Sequence, residues 1–295
     1  MLPGLEAASR PKFSVYQHTT NFICWEEENT WNFTWATLTE CPFSGMLSLR
    51  KVLERMDGMT RHTGCLLCGG PLQYFKEEQK LTCALCGGRF PANAACEAGH
   101  FVCDACHARR GLEVIRAVCE ASCERDPIVL MQQIMADPFL YMHGPEHHVL
   151  VGSALLTAYR NSGGALDWPD ALDVMEERGR QVPGGACGFW GCCGAAVSAG
   201  IFVSIAVGAT PLTGESWGLA NRMTGLALTR IGALGGPRCC KRDSFTAVLA
   251  AVGFSREHLG VSMETPEQVV CTFSKENAQC LGRRCPYHQT HYKQD

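Results

Sequence analysis

The residues best equipped for chemistry in this sequence are its nineteen cysteines among 295 residues, and they are spaced in groups. Cys65-x2-Cys68 and Cys83-x2-Cys86 are separated by fourteen residues, and each pair is followed by Gly-Gly. Two such knuckles can place four thiolates tetrahedrally about 2.3 Å from one ion. The glycines free the backbone to turn its amides toward sulfur. This pattern predicts a closed-shell zinc site at Cys65, Cys68, Cys83 and Cys86, with iron the other metal that suits the spacing. Cys96-x3-His100-x2-Cys103-x2-Cys106 predicts a separate Cys3His zinc site, in which His107 could replace His100. Loss of one ligand should unfold the module locally.

A second supply of thiols lies further on, in GGACGFWGCCGAAVSAG (184–200), GGPRCCKRD (235–243), Cys271 and CLGRRCPYHQTH (280–291). Glycines around Cys187 and Cys192 let amides approach sulfur. Cys239 and Cys240 stand before an expected helix, whose dipole favours thiolates together with Arg238, Lys241 and Arg242. These features nominate Cys187, Cys192, Cys193 and Cys240 as ligands of a [4Fe-4S] cluster, with Cys239, Cys271, Cys280 and Cys285 as competitors. A redox dithiol and plain packing of small thiols are the other readings. His143, Glu146, His147 and His148 fall in MHGPEHHVLV, where imidazoles suit proton transfer near neutral pH. His147 and His148, with Cys193, are the catalytic candidates; an ion between His143 and His147, and simple capping or packing, are the alternatives.

The elements that position these groups divide into three stretches: 1–60, 61–110 and 111–295. In the first, Trp25, Trp31 and Trp35 alternate with polar residues as in a hairpin, and Ser48–Asp57 has one apolar helical face. The second consists of knuckles and short strands, a treble or ribbon-like module. The third has helical periodicity from Gly111 onward: Asp126 and Pro127 initiate one helix, Pro145 can start another after the Gly144 turn, and Asp167 or Trp168 begins one that stops near Gly179. Further helices are expected at 195–207, from Ser216 to Leu234, in DSFTAVLAAVGF, and after Thr265-Pro266. The expected class is mainly α, a helical domain preceded by a small cysteine-rich module. No GxGxxG or Walker A motif appears, and no alternation supports a parallel sheet.

Composition narrows the setting. Apolar residues make up 46% of the chain, enough for a sizeable core, and a net charge of -3 leaves no general footprint for nucleic acid. From Gln181 to Gly214 no side chain is charged, but frequent Gly, Ser and Ala and a closing Pro211 favour a buried helix over a membrane span. An odd cysteine count, CxxC pairs and no apolar leader at the start predict thiolate sites in the cytoplasm.

Two resemblances follow from these motifs. Cys187, the segment CGAAVSAG (193–200) and Cys240 resemble the helical, redox-active family described by the pattern C, GCAxxG, C, C; here the central element reads Cys192-Cys193-Gly194-Ala195-Ala196. That resemblance implies thiol or metal-based redox chemistry. Cysteine knuckles ahead of HGPxHH and GxCGxxGxCGAAxSAG also resemble an uncharacterised family associated with methyltransferase or radical S-adenosylmethionine proteins, which implies such an enzyme as partner. The sequence therefore predicts an iron–sulfur or thiol-dependent enzyme acting on a small, sulfur-containing or polar substrate. Its alternative is a zinc-ribbon accessory or maturation factor that binds a partner enzyme.

Overall fold

The computed structural model describes residues 22–27, 30–35 and 64–292. The chain separates into two compact units, 1–44 and 45–295. In the first, β1 (Phe22–Glu27) pairs antiparallel with β2 (Thr30–Trp35), Cys24 opposite Phe33 and Trp25 opposite Asn32, as the tryptophan alternation predicts. The expected helix at Ser48–Asp57 lies outside the described residues.

The second unit opens with an antiparallel hairpin of β3 (Leu72–Thr82) and β4 (Arg89–Cys96), with Leu72 opposite Cys96 and Thr82 opposite Arg89. Along β3 only Phe75 and Leu81 are half-buried, so this hairpin has little apolar surface to hold it. Eight α-helices follow among the described residues: α1 (Asp104–Ala121), α2 (Pro127–Met135), α3 (His147–Asn161), α4 (Asp170–Gly179), α5 (Ala186–Phe189), α6 (Gly194–Ala206), α7 (Glu215–Leu234) and α8 (Cys240–His258). The fold is mainly helical behind a small cysteine-rich hairpin module.

The core lies around α3, whose buried residues include His147 and run on from Val149 to Tyr159, and which packs against α1, α2, α4, α6 and α8. Small residues set the helix spacing. A side chain at Gly152 would run into Met175 of α4, and one at Gly200 would meet the Thr224 hydroxyl and the Ala220 carbonyl of α7. Ser198 accepts the Gly152 amide at 2.8 Å, tying α6 to α3. Phe202 is fully buried and meets Tyr159 edge to face, with ring centres 5.5 Å apart. The uncharged stretch thus covers the core, and among the described residues no helix is long and apolar enough to cross a membrane.

Three expectations about elements are corrected. Helix α1 starts at Asp104, not Gly111, because the last metal knuckle is itself its first turn. Helix α8 starts at Cys240, with Cys239 as its N-cap, so Cys240 lies inside the helix instead of before it. The segment after Thr265-Pro266 forms no helix. Val269 and Phe273 are buried, with Val270 and Cys271 half-buried between them and Thr272 exposed. The Cys271 amide donates to the Tyr287 carbonyl at 2.7 Å, inside a parallel bridge of Cys271 with His288.

Candidate metal centres and the cysteine-lined helical sites

Each knuckle is built by the backbone before any metal is considered. The Cys65 amide donates to the Gly70 carbonyl at 2.8 Å and the Gly69 amide to the Cys65 carbonyl at 2.7 Å; Cys83, Gly87 and Gly88 repeat the pattern at 2.9 and 2.8 Å. Gly69 and Gly87 have φ of 70° and 72°, a region costly for any other residue, which explains the first glycine of each CxxCGG. A third knuckle follows at Cys96, where the Gly99 amide donates to the Cys96 carbonyl at 2.8 Å. In the fourth, Cys103 is the N-cap of α1 and Cys106 sits in its first turn.

Their ligand atoms gather into two sets within 4.8 Å: Cys65, Cys68, Cys96 and His100, and Cys83, Cys86, Cys103 and Cys106. All eight expected ligands take part, but the expected grouping is wrong. The first knuckle pairs with the third and the second with the fourth. The eleven-residue strand β3 explains this, since at about 3.3 Å per residue it carries the second knuckle to the far end of the hairpin. The register of Leu72 with Cys96 returns β4 to the first knuckle, and the chain then runs back, with the Ala84 amide on the Phe101 carbonyl at 2.8 Å. Within the sets, Cys68 and Cys96 sulfurs are 3.5 Å apart, Cys86 and Cys103 are 3.9 Å apart, and His100 Nδ1 is 3.7 Å from Cys65 Sγ. Both groups can hold a metal ion as closed four-ligand shells.

The local field favours ionisation of one thiol in each set and opposes it at others. Burial and the neighbouring sulfurs push Cys106 up to about 12 and raise Cys103, and Cys68, against its Gly70 amide, is raised by Cys96 and Cys65. Burial opposes ionisation of Cys65, but the Leu67 and Cys68 amides outweigh it and bring the thiol down to about 7. Cys83 falls to about 6 against the same opposition, helped by the amides of Cys103, Cys86 and Leu85. His107, the alternative to His100, turns away from the metal set. Its Nδ1 lies 3.3 Å from the fully buried Glu146 carboxylate, and its ring edges Tyr141 at 4.8 Å.

Glu146 also lies 3.3 Å from His147 Nδ1, so one carboxylate stands between two imidazoles. Burial works against its charge, but these two rings hold the carboxyl well below the usual carboxylate range. His147 is 1% exposed, and burial with Lys241 nearby lowers it to about 4. His148 is also lowered by burial, while its Nδ1 lies 2.9 Å from the Val182 carbonyl. His143, lowered to about 4 by burial, reaches Gln279 at 3.0 Å. None of these histidines is an exposed cap. His143 and His147 do not assemble three ligand atoms for an ion among the described residues.

The HGPEHH turn does lie beside the cysteines expected near it. The His148 ring lies against Gly194, the residue after Cys193, leaving no room there for a side chain. The Gly144 amide is aimed at the Cys240 sulfur, and Cys187 is close enough to Cys193 to oppose its ionisation. Burial pushes Cys193 up to about 12 and raises Cys240 as well. Cys192 is half-buried, its amide on the Ala186 carbonyl at 3.2 Å. Sequence reasoning missed Glu146 as the link between α1 and α3, and it missed Asn277, which donates to Cys239 Sγ at 3.4 Å.

No curated protein and no solved structure matches the chain. A family match begins within α1, after the metal knuckles, and spans the remaining helices and the cysteine-rich segment beyond them. Matching over residues 115–288, more than half of its length, the chain belongs to the family of unknown function DUF5714.

Proposed function

We propose that this protein is a two-zinc accessory or maturation factor, in which the metal module is fixed to a helical domain that engages a partner enzyme. The observation carrying the proposal is the pair of interleaved four-ligand sets, Cys65/Cys68/Cys96/His100 and Cys83/Cys86/Cys103/Cys106. Closed thiolate shells leave no position for substrate, so their ions organise structure. The second set lies partly on α1, so its ion would fasten the hairpin to the helical domain. From the resemblance to proteins found with methyltransferases or radical S-adenosylmethionine enzymes, the partner is of that kind. The full chain purified without added metal should contain about two zinc ions and show no turnover alone. It should be recovered from its native cell with such an enzyme at constant ratio. Disulfides in place of zinc, or turnover of a small thiol substrate by the chain alone, would overturn the proposal.

A second reading is favoured by the placement of His148 against Gly194 and of the Gly144 amide toward Cys240. Here Cys187, Cys192 or Cys193, and Cys240 hold a labile [4Fe-4S] cluster, and His147 or His148 moves a proton for a small substrate. Iron and sulfide lost in Cys187→Ser and Cys193→Ser would establish this reading. Their retention would remove it.

A further inference from the structure

Four cysteines left over by both readings, Cys239, Cys271, Cys280 and Cys285, line one pocket between the N-terminus of α8 and the segment after it. They come from distant points in the sequence, so their meeting is a product of the fold. Each sulfur has an amide aimed at it: Arg242 to Cys239 at 3.5 Å, Gly282 to Cys280 at 3.4 Å, and the amides of Phe273 and Tyr287 to Cys271 and Cys285. The metal knuckles use the same device. There Leu67 donates to Cys65 and Ala98 to Cys96, two residues onward and at 3.4 Å, as Gly282 does to Cys280. Asn277, itself buried, adds a side-chain donor to Cys239. By contrast Cys119, fully buried in the core, has a threonine hydroxyl as its hydrogen-bond partner.

Charge and spacing decide what this pocket would take. Lys241 and Arg242 are both buried, Arg242 lining the pocket and Lys241 lying 4.9 Å from the centre of the pocket-lining Phe273 ring. Burial raises the free thiols of Cys239, Cys271 and Cys285, and Asp243 adds to this at Cys239 and Cys285, while Arg242 at Cys239 and Cys285 and Lys241 at Cys271 work the other way. Among the described residues, no three of these sulfurs lie within 4.8 Å of one another, whereas both zinc-type sets do. Four thiolates at about 2.3 Å from one zinc stand about 3.8 Å apart. Thiolates spaced more widely than that suit several metal atoms bridged by sulfide, and the amides aimed at sulfur, with Lys241 nearby, offset the cluster's negative charge, while Arg242 is paired with Asp243 at 2.9 Å.

We propose that Cys239, Cys271, Cys280 and Cys285 form a third metal centre, a four-thiolate site for an iron–sulfur cluster, separate from both zinc-type sites and from Cys187, Cys193 and Cys240. Assembly needs sulfide with iron supplied as both ferrous and ferric ions, in the ratio that the core holds, so no electron acceptor is required; each thiol releases one proton as its iron–sulfur bond forms. The site stands on the four-thiol pocket alone and is independent of the zinc reading, because zinc and sulfide are counted separately.

The test is anaerobic reconstitution of the full chain with ferrous and ferric iron and sulfide. Iron, sulfide and zinc are then quantified and Mössbauer spectra recorded. Iron and sulfide should appear in equal amounts, at least about two of each per chain, beside an unchanged zinc content. Cys271→Ser and Cys285→Ser should each remove at least half of the iron and sulfide, and Cys187→Ser and Cys193→Ser should remove neither. If the serine variants fail to fold, thiol alkylation of the reconstituted wild type decides. The four cysteines should be protected until the cluster is stripped by chelator and oxidant. Failure to take up sulfide, a third zinc in place of iron, cluster loss in Cys187→Ser, or unchanged alkylation of the four would each overturn the proposal.

Discussion

The hairpin module and the helical domain are stabilised in opposite ways. Strand β3 is almost wholly exposed, and the buried residues of the module are mostly its cysteines and alanines. The helical domain buries Phe202, Phe245, Ile128, Leu150, Leu155 and many more large apolar side chains. Burial of one such side chain contributes about 1.5–3 kcal/mol, so packing can hold the helices, while on the proposed function the hairpin would depend on bound ions. Cysteine accordingly has two uses in this chain: it replaces a core in the first region, and it lines turns and helix starts at the edge of the core in the second.

Removing the ions should therefore have the largest effect, confined to one region. Chelation should collapse the hairpin while helical circular dichroism persists. Paired substitutions read the interleaving directly. Cys68→Ser with Cys96→Ser removes ligands of one set and should cost about one zinc, whereas Cys68→Ser with Cys83→Ser touches both and should cost about two. The reverse result would mean that neighbouring knuckles share an ion. Parallel loss of helical signal in every variant would show that the helices depend on the module.

Core truncation should reverse the pattern. Phe202 is fully buried against Tyr159, so Phe202→Ala should destabilise the helical domain by about 3–5 kcal/mol in urea unfolding. Zinc content should stay the same. A change below about 1 kcal/mol would mean that α6 is not central to the core.

What the sequence revealed and what it concealed divides along the same line. All eight knuckle ligands were legible because their spacing is local, and Asp126-Pro127 marked the start of α2 for the same reason. The grouping was not legible from spacing alone, because it depends on the length of β3. LQYFKEEQKLT contains no glycine or proline to break it, and that run was the available clue. Thr265-Pro266 resembles a helix start, but burial of Val269 and Phe273 and the Cys271–His288 bridge hold that segment out of a helix, which is tertiary override of a local signal. The four-thiol pocket was hidden because Cys239 and Cys285 meet only after the chain has folded. For the catalytic candidates, the histidine-rich turn at His143–His148 is legible in the sequence, but the burial of His147 and the carboxylate between two rings depend on α1, forty residues earlier.

Acid should affect the helical domain through that turn. His147 has a folded-state value of about 4, below its ordinary 6.5, so the unfolded chain binds the extra proton between those values. Its contribution is intact above pH 6.5 and is lost as pH falls toward 4, with a slope of at most about 1.4 kcal/mol per pH unit. Glu146, shifted downward, gives the same sign at lower pH. His147→Asn should flatten the helical stability profile between pH 6.5 and 4 relative to wild type. Parallel profiles would show that His147 is not buried in its neutral form.

The smallest effect tests whether the helical domain tolerates loss of one local signal as well as its core implies. Asp126 accepts the amides of Ile128 at 2.8 Å and Val129 at 3.2 Å, two donors that the first turn of α2 would otherwise leave unpaired. Burial raises its pKa, while these amides draw it back toward the carboxylate. Asp126→Ala should cost about 1 kcal/mol, and Asp126→Asn less, because an amide oxygen can still accept the same bonds. A loss several times larger for alanine would mean that α2 initiates at Asp126 without reserve and that its packing against α3 cannot hold it alone. Equal losses for alanine and asparagine would assign the effect to the charge. The expected ranking, alanine worse than asparagine and both far below Phe202→Ala, places the stability of this half of the molecule in its packing, with its caps setting where each helix begins.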